Sequence, residues 1–81
     1  MEGFTQEEVR IMKKVGKMTG VSIEYLSKCL NDFKEFDYNP KVGELYRYVK
    51  LKIDDTPMFK NIDGDRVPFS KRDYVNYCII K

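Results

Sequence analysis

The sequence predicts a small, mainly helical α+β domain, and three observations predict it. Hydroxyl residues followed three positions later by an acid, Thr5 with Glu8 and Ser70 with Asp73, stand before apolar runs at helical spacing. A glycine-centred corner between Gly16 and Leu30 joins two such runs. Beyond Ile53 the helical period gives way to Pro, Asn, Asp and Gly around short apolar pairs, the texture of a hairpin. The expected organisation is a single domain over 1–81, with a helical bundle over 1–53 and a hairpin and C-terminal helix packed on it over 54–81.

The first helix is capped by Thr5 and Glu8, with Phe4 and Val9 as a hydrophobic staple. Glu7 and Glu8 in its first turn and Lys13, Lys14 and Lys17 further on complement the helix dipole. Val9, Met12, Val15, Gly16 and Thr19 form its stripe, and Gly20 ends it. Ser22 caps a second helix, expected over 22–36, whose buried face is Leu26, Cys29, Leu30 and Phe33. Asp37-Tyr38-Asn39-Pro40 breaks the chain.

The segment 41–53 supports two patterns. With Asn39 as cap and Pro40 in the first turn, Val42, Leu45, Tyr46, Val49 and Ile53 fall at helical spacing. Leu45, Val49, Leu51 and Ile53 also alternate with Tyr46, Tyr48, Lys50 and Lys52, as in a strand. The cap tips the balance to helix. Met58-Phe59 and Val67-Pro68-Phe69 then flank a turn over Asn61-Ile62-Asp63-Gly64-Asp65, in which Gly64 is free to take positive φ, with Pro68 confining its strand to a short or edge role. Ser70 and Asp73 open the last helix, with Phe69 and Tyr74 as staple and Tyr74, Val75, Cys78 and Ile79 on its buried side.

With 81 residues, 42% of them hydrophobic and 14% aromatic, the chain has enough apolar material for one modest core. The net charge is only +2, and all of the excess lies within residues 37–53, in Lys41, Arg47, Lys50 and Lys52 against Asp37 and Glu44. There is no histidine, and Cys29 and Cys78 are the only cysteines, so zinc-site spacing is missing and two free thiols in a cytoplasmic protein are expected. Asn61, Asp63 and Asp65 make an ordinary turn rather than a calcium loop, because the distal bidentate Glu is absent. Cys78-Ile79-Ile80-Lys81 has the outline of a prenylation box, but its final Lys and the lack of a polybasic stretch favour a helix end. No nucleophile–base pair stands out, so no enzyme activity, cofactor, metal or membrane span is expected.

From Val15 to Leu30 the chain resembles the helix-turn-helix of small phage and bacterial repressors. Gly16 stands at the small position of the first helix, Gly20 at the turn glycine, Val21 at the apolar turn residue, and Leu26 and Cys29 at the buried positions of the second helix. Thr19 departs from the family, which prefers a large apolar residue there. The resemblance implies a non-enzymatic transcription regulator that reads duplex DNA through helix 22–36, with Ser22, Ile23, Glu24, Ser27, Lys28 and Asn31 facing the groove. Lys14, Lys17, Lys50 and Lys52 are then phosphate contacts, and a homodimer on a two-fold site is expected. A helix-turn-helix followed by a hairpin is also similar, at the level of fold, to winged-helix domains.

Thr19-Gly20 and Lys28-Cys29-Leu30 also resemble the ubiquitin-associated-like N-terminal domain of elongation factor Ts. That resemblance implies a protein-binding module, with Met18 and Ile23 as exposed apolar contacts; a phage or mobile-element inhibitor that binds and blocks a larger host protein is the corresponding alternative to DNA binding. A further constellation depends on the strand reading of 41–53. Tyr46, Tyr48, Lys50 and Lys52 on one strand face make a stacking platform for single-stranded nucleic acid.

Overall fold

The end signals of the helices operate as their residue types require. The computed structural model describes residues 3–79, which form α1 (Gln6–Thr19), α2 (Ile23–Lys34), α3 (Val42–Ile53), β1 (Phe59–Ile62), β2 (Asp65–Pro68) and α4 (Lys71–Cys78). The chain is thus a four-helix α+β fold with one antiparallel hairpin. At α1, Glu8 N donates to Thr5 Oγ1 (3.1 Å) and Thr5 N donates to Glu8 Oε1 (2.9 Å), a complete capping box. Gly20 takes φ 77°, the left-handed conformation open to glycine, and its N–H donates to Gly16 O at 2.7 Å.

Gly16 is required by a close approach. A Cβ there would lie 3.2 Å from Leu26 Cδ1 and 3.6 Å from Val21 O, so the missing side chain lets α2 seat against α1. The α2 stripe of Leu26, Cys29, Leu30 and Phe33 is buried as expected. The helix stops at Lys34, two residues short of the expected 36, because Asp37 adopts φ 56°. Asp37 N then donates to Lys34 O and Tyr38 N to Phe33 O, the bond pair of a Schellman ending with Asp in place of Gly.

Residues 42–53 are helical, and the cap differs from the expected Asn39. Lys41 is the cap residue, and its lysine side chain has no acceptor, so the first turn is served instead by Glu44. Its Oε1 accepts from Lys41 N (2.8 Å), while its Oε2 accepts from Tyr38 Oη (2.5 Å). This carboxylate is buried and fastens the 35–41 turn to α3. The helix also disperses the platform residues. Tyr48 is 2% exposed in the core and Tyr46 half-buried, whereas Lys50 and Lys52 are exposed, so the strand-face platform is corrected.

The core is one cluster of Ile11, Met12, Val15, Leu26, Cys29, Leu30, Phe33, Leu45, Tyr48, Val49, Val75 and Cys78. Phe33 meets the Tyr48 ring edge-on at 5.1 Å between centroids. Helix α3 is central, packing on α1, α2 and α4, and α4 also touches α2. Both cysteines are free and buried.

The hairpin pairs Phe59 with Pro68, Lys60 with Val67, Asn61 with Arg66 and Ile62 with Asp65. Its turn residues Asp63 (φ 51°) and Gly64 (φ 85°) both take positive φ, as a type I′ turn demands. Its base is fixed by Phe69 against Tyr74 (5.3 Å between rings) and by a Lys60–Asp73 ion pair at 2.7 Å. Apart from that ion pair the strand backbones run clear of the helices, and the described molecule measures 44 × 25 × 22 Å.

Candidate nucleic-acid interface

The α1–α2 corner determines which of the expected groove-facing side chains reach solvent. Glu24, Lys28 and Asn31 are exposed on α2 on the side opposite its buried stripe, and Ile23 is exposed at the start of the helix, one turn before Leu26. Ser22 is exposed as well, but its Oγ is engaged by Tyr25 N at 3.2 Å as the cap acceptor. Ser27 is half-buried, and its Oγ donates back to Ile23 O (3.0 Å) and Glu24 O (2.9 Å). Its donor is therefore spent inside the helix, which leaves the oxygen only as an acceptor. Among the described residues, Glu24, Lys28 and Asn31 are the members of the set with uncommitted polar ends.

The lysines divide by structure. Lys13, Lys14 and Lys17 stand exposed along α1 with no carboxylate partner among the described residues. Lys50 and Lys52 lie on α3 instead, outside the α1–α2 unit. Lys50 reaches Asp54 at 3.8 Å, whereas Lys52 pairs with Asp32 at 3.3 Å and covers the Tyr48 ring at 5.2 Å. Lys52 is thus already engaged by Asp32 and the Tyr48 ring.

A second polar centre escaped sequence reasoning. Asp32 on α2 accepts from Tyr48 Oη at 2.6 Å and pairs with Lys52 and with Lys71 of α4, the latter at 3.6 Å. Lys71 also donates to Glu35 at 3.1 Å, and these two carboxylates hold its ammonium above the usual lysine range. Burial, and then the bond to Asp32, push the Tyr48 phenol far above its ordinary value, so it remains a donor. Tyr48, Lys52 and Lys71 of the cluster line an open groove of about 570 Å³ with Tyr25, Leu51 and Tyr74. These residues lie on three helices, so no local spacing announces them.

Cross-pairing changes the electrostatics of the corner. Glu7 is held by Arg10, Glu8 by Lys34 at 3.4 Å, and Asp32 and Glu35 by lysines brought from α3 and α4. Among the described residues, what remains uncompensated on α1 and α2 is Lys13, Lys14, Lys17 and Lys28 against Glu24. Among the described residues, α1 and α2 therefore carry an excess of exposed, unpaired positive charge.

Beside it is an apolar feature. Met18 (53% exposed) and Ile23 (38%) flank the Gly20 turn, one from each helix. Among the described residues no group of three or more Cys, Asp or Glu is arranged to hold a metal, and no helix is long and apolar enough to cross a membrane. Comparison with protein-family models, with curated proteins and with solved structures returned no match.

Proposed function

We propose that this chain is a non-enzymatic regulator that binds duplex DNA through α2. Lys28, Asn31 and Ile23 approach the base edges, and Lys14 and Lys17 of α1 neutralise backbone phosphates. The observation that carries this reading is the set of Lys13, Lys14, Lys17 and Lys28, without a carboxylate partner among the described residues, on a glycine-cornered helix pair. Glu24 limits the site, since a carboxylate is compatible with the groove only opposite a cytosine amino group. One copy offers few contacts, so a dimer on a two-fold site is the expected form.

Titration of the isotopically labelled protein with mixed-sequence duplex, at low and moderate salt, tests this directly. Shifts confined to α1 and α2 that fade with salt are expected. Each phosphate-contact lysine reversed to Glu should lower the salt slope of log K by about 0.9. A spectrum unchanged by DNA at low salt would remove the reading, because non-specific binding is already expected there.

A second reading rests on Met18 and Ile23. Their exposure at one corner also fits a docking surface on a larger protein. That interaction would resist salt and be lost on Met18→Asp or Ile23→Asp, whereas Lys28→Glu would spare it.

A further inference from the structure

The hairpin is the element that the helices leave uncovered. Apart from the Lys60–Asp73 pair, neither strand lies against a helix among the described residues, and Phe59 is 41% and Ile62 47% exposed. A lone two-stranded hairpin is marginal in water, so a covering partner would stabilise it. Its hydrogen-bond phase shows which edge is open. Phe69 N donates to Met58 O at 2.9 Å, which makes residues 58 and 69 a bonded pair. Alternation then makes Lys60/Val67 and Ile62/Asp65 bonded pairs, with Phe59/Pro68 and Asn61/Arg66 between them.

The backbone N–H and C=O of Phe59 and Asn61 therefore point outward from β1, and no other described group meets them. Those of Arg66 and Pro68 point outward from β2, where Pro68 has no N–H to give. The proline closes the β2 edge, and β1 stays open.

We propose that β1 pairs antiparallel with β1 of a second copy, in a register centred on Lys60. In that register Phe59 and Asn61 of each copy exchange both backbone bonds with Asn61 and Phe59 of the other. Ile62 lies opposite Met58 of the second copy, apolar against apolar. The two Lys60 side chains face one another, but each is already held by Asp73 of its own chain at 2.7 Å. That tether also removes the usual protection that a free edge lysine gives. Because Pro68 blocks the outer strands, the sheet ends at four strands, a closed two-fold dimer rather than a fibre. The occupant is a second copy because the outward donors and acceptors of Phe59 and Asn61 are complementary to themselves under one two-fold axis. This inference stands on the hairpin alone and is independent of the DNA reading.

Sedimentation of the intact chain from micromolar to millimolar concentration, without DNA, provides the test. The wild type should double its mass as concentration rises, and Asn61→Pro should lose that doubling. Asn61 occupies the same non-bonded phase as Pro68, so the substitution leaves the hairpin's own bonds in place, which far-UV circular dichroism checks. Ile62→Lys, at the neighbouring position of the same strand, should also weaken association. Amide exchange of the wild type should show Phe59 and Asn61 gaining protection with concentration. A wild type that stays monomeric at millimolar concentration overturns the proposal. So does a dimer in which those amides remain open or which survives Asn61→Pro.

Discussion

Removing the Asp32 carboxylate tests the centre that joins α2, α3 and α4. In Asp32→Ala the Tyr48 hydroxyl, 2.6 Å from Asp32 and on a side chain 2% exposed, is left in the core without its acceptor. A buried donor stranded in this way costs about 1–3 kcal/mol. The ion pairs to Lys52 and Lys71 add little, because those side chains are 44% and 50% exposed and solvent screens them. The expected loss is about 2–3 kcal/mol. For a domain of this size that lowers Tm by about 10–20 °C. Asp32→Asn keeps an oxygen for Tyr48 and removes only the screened pairs, so it should cost less than about 1 kcal/mol. Adding Tyr48→Phe to Asp32→Ala should restore part of the loss, since the stranded hydroxyl is gone. Urea unfolding followed by circular dichroism reads all three variants. The reasoning fails if Asp32→Asn is as damaging as Asp32→Ala, or if Tyr48→Phe deepens the loss in the double variant.

Other consequences are local. Gly16→Val should separate α1 from α2 and cost about 2 kcal/mol in the same assay, because its Cβ would begin 3.2 Å from the fully buried Leu26. The Lys60 ammonium, and then the Ser70 N–H, hold the Asp73 carboxyl at about 2, against an ordinary 3.8. A depressed folded value means that this tether contributes fully above the unfolded pKa and is lost as pH falls toward 2. Carboxyl NMR should place the Asp73 midpoint there, and Asp73→Asn should abolish that part of the acid dependence. Burial pushes the Cys29 and Cys78 thiols up to about 11, so thiol reagents at mildly alkaline pH should label both only after denaturant unfolds the chain.

Much of the fold was legible in the sequence because its signals are local. The Thr5–Glu8 and Ser70–Asp73 boxes act across three residues, and Gly20 and Gly64 mark the positive-φ turns that the backbone adopts there. The α2 stripe follows from helical spacing alone, as does the exposure of Lys28 and Asn31 opposite it.

Only tertiary packing decided the rest. Residues 41–53 carry both a helical and an alternating pattern, and the fold resolves them as the central helix that three others bury. With that choice Tyr48 passes from a binding candidate to a core donor for Asp32. Lys52 and Lys71 are drawn onto α2 carboxylates, so a neutral N-terminal half acquires unpaired lysines. Caps and periodicity arise from groups within a turn or two of one another, which the sequence order itself fixes. Charge pairing, a hydroxyl's acceptor and the covered edge of a strand depend on groups distant along the chain, and only the folded backbone brings them within a few ångströms.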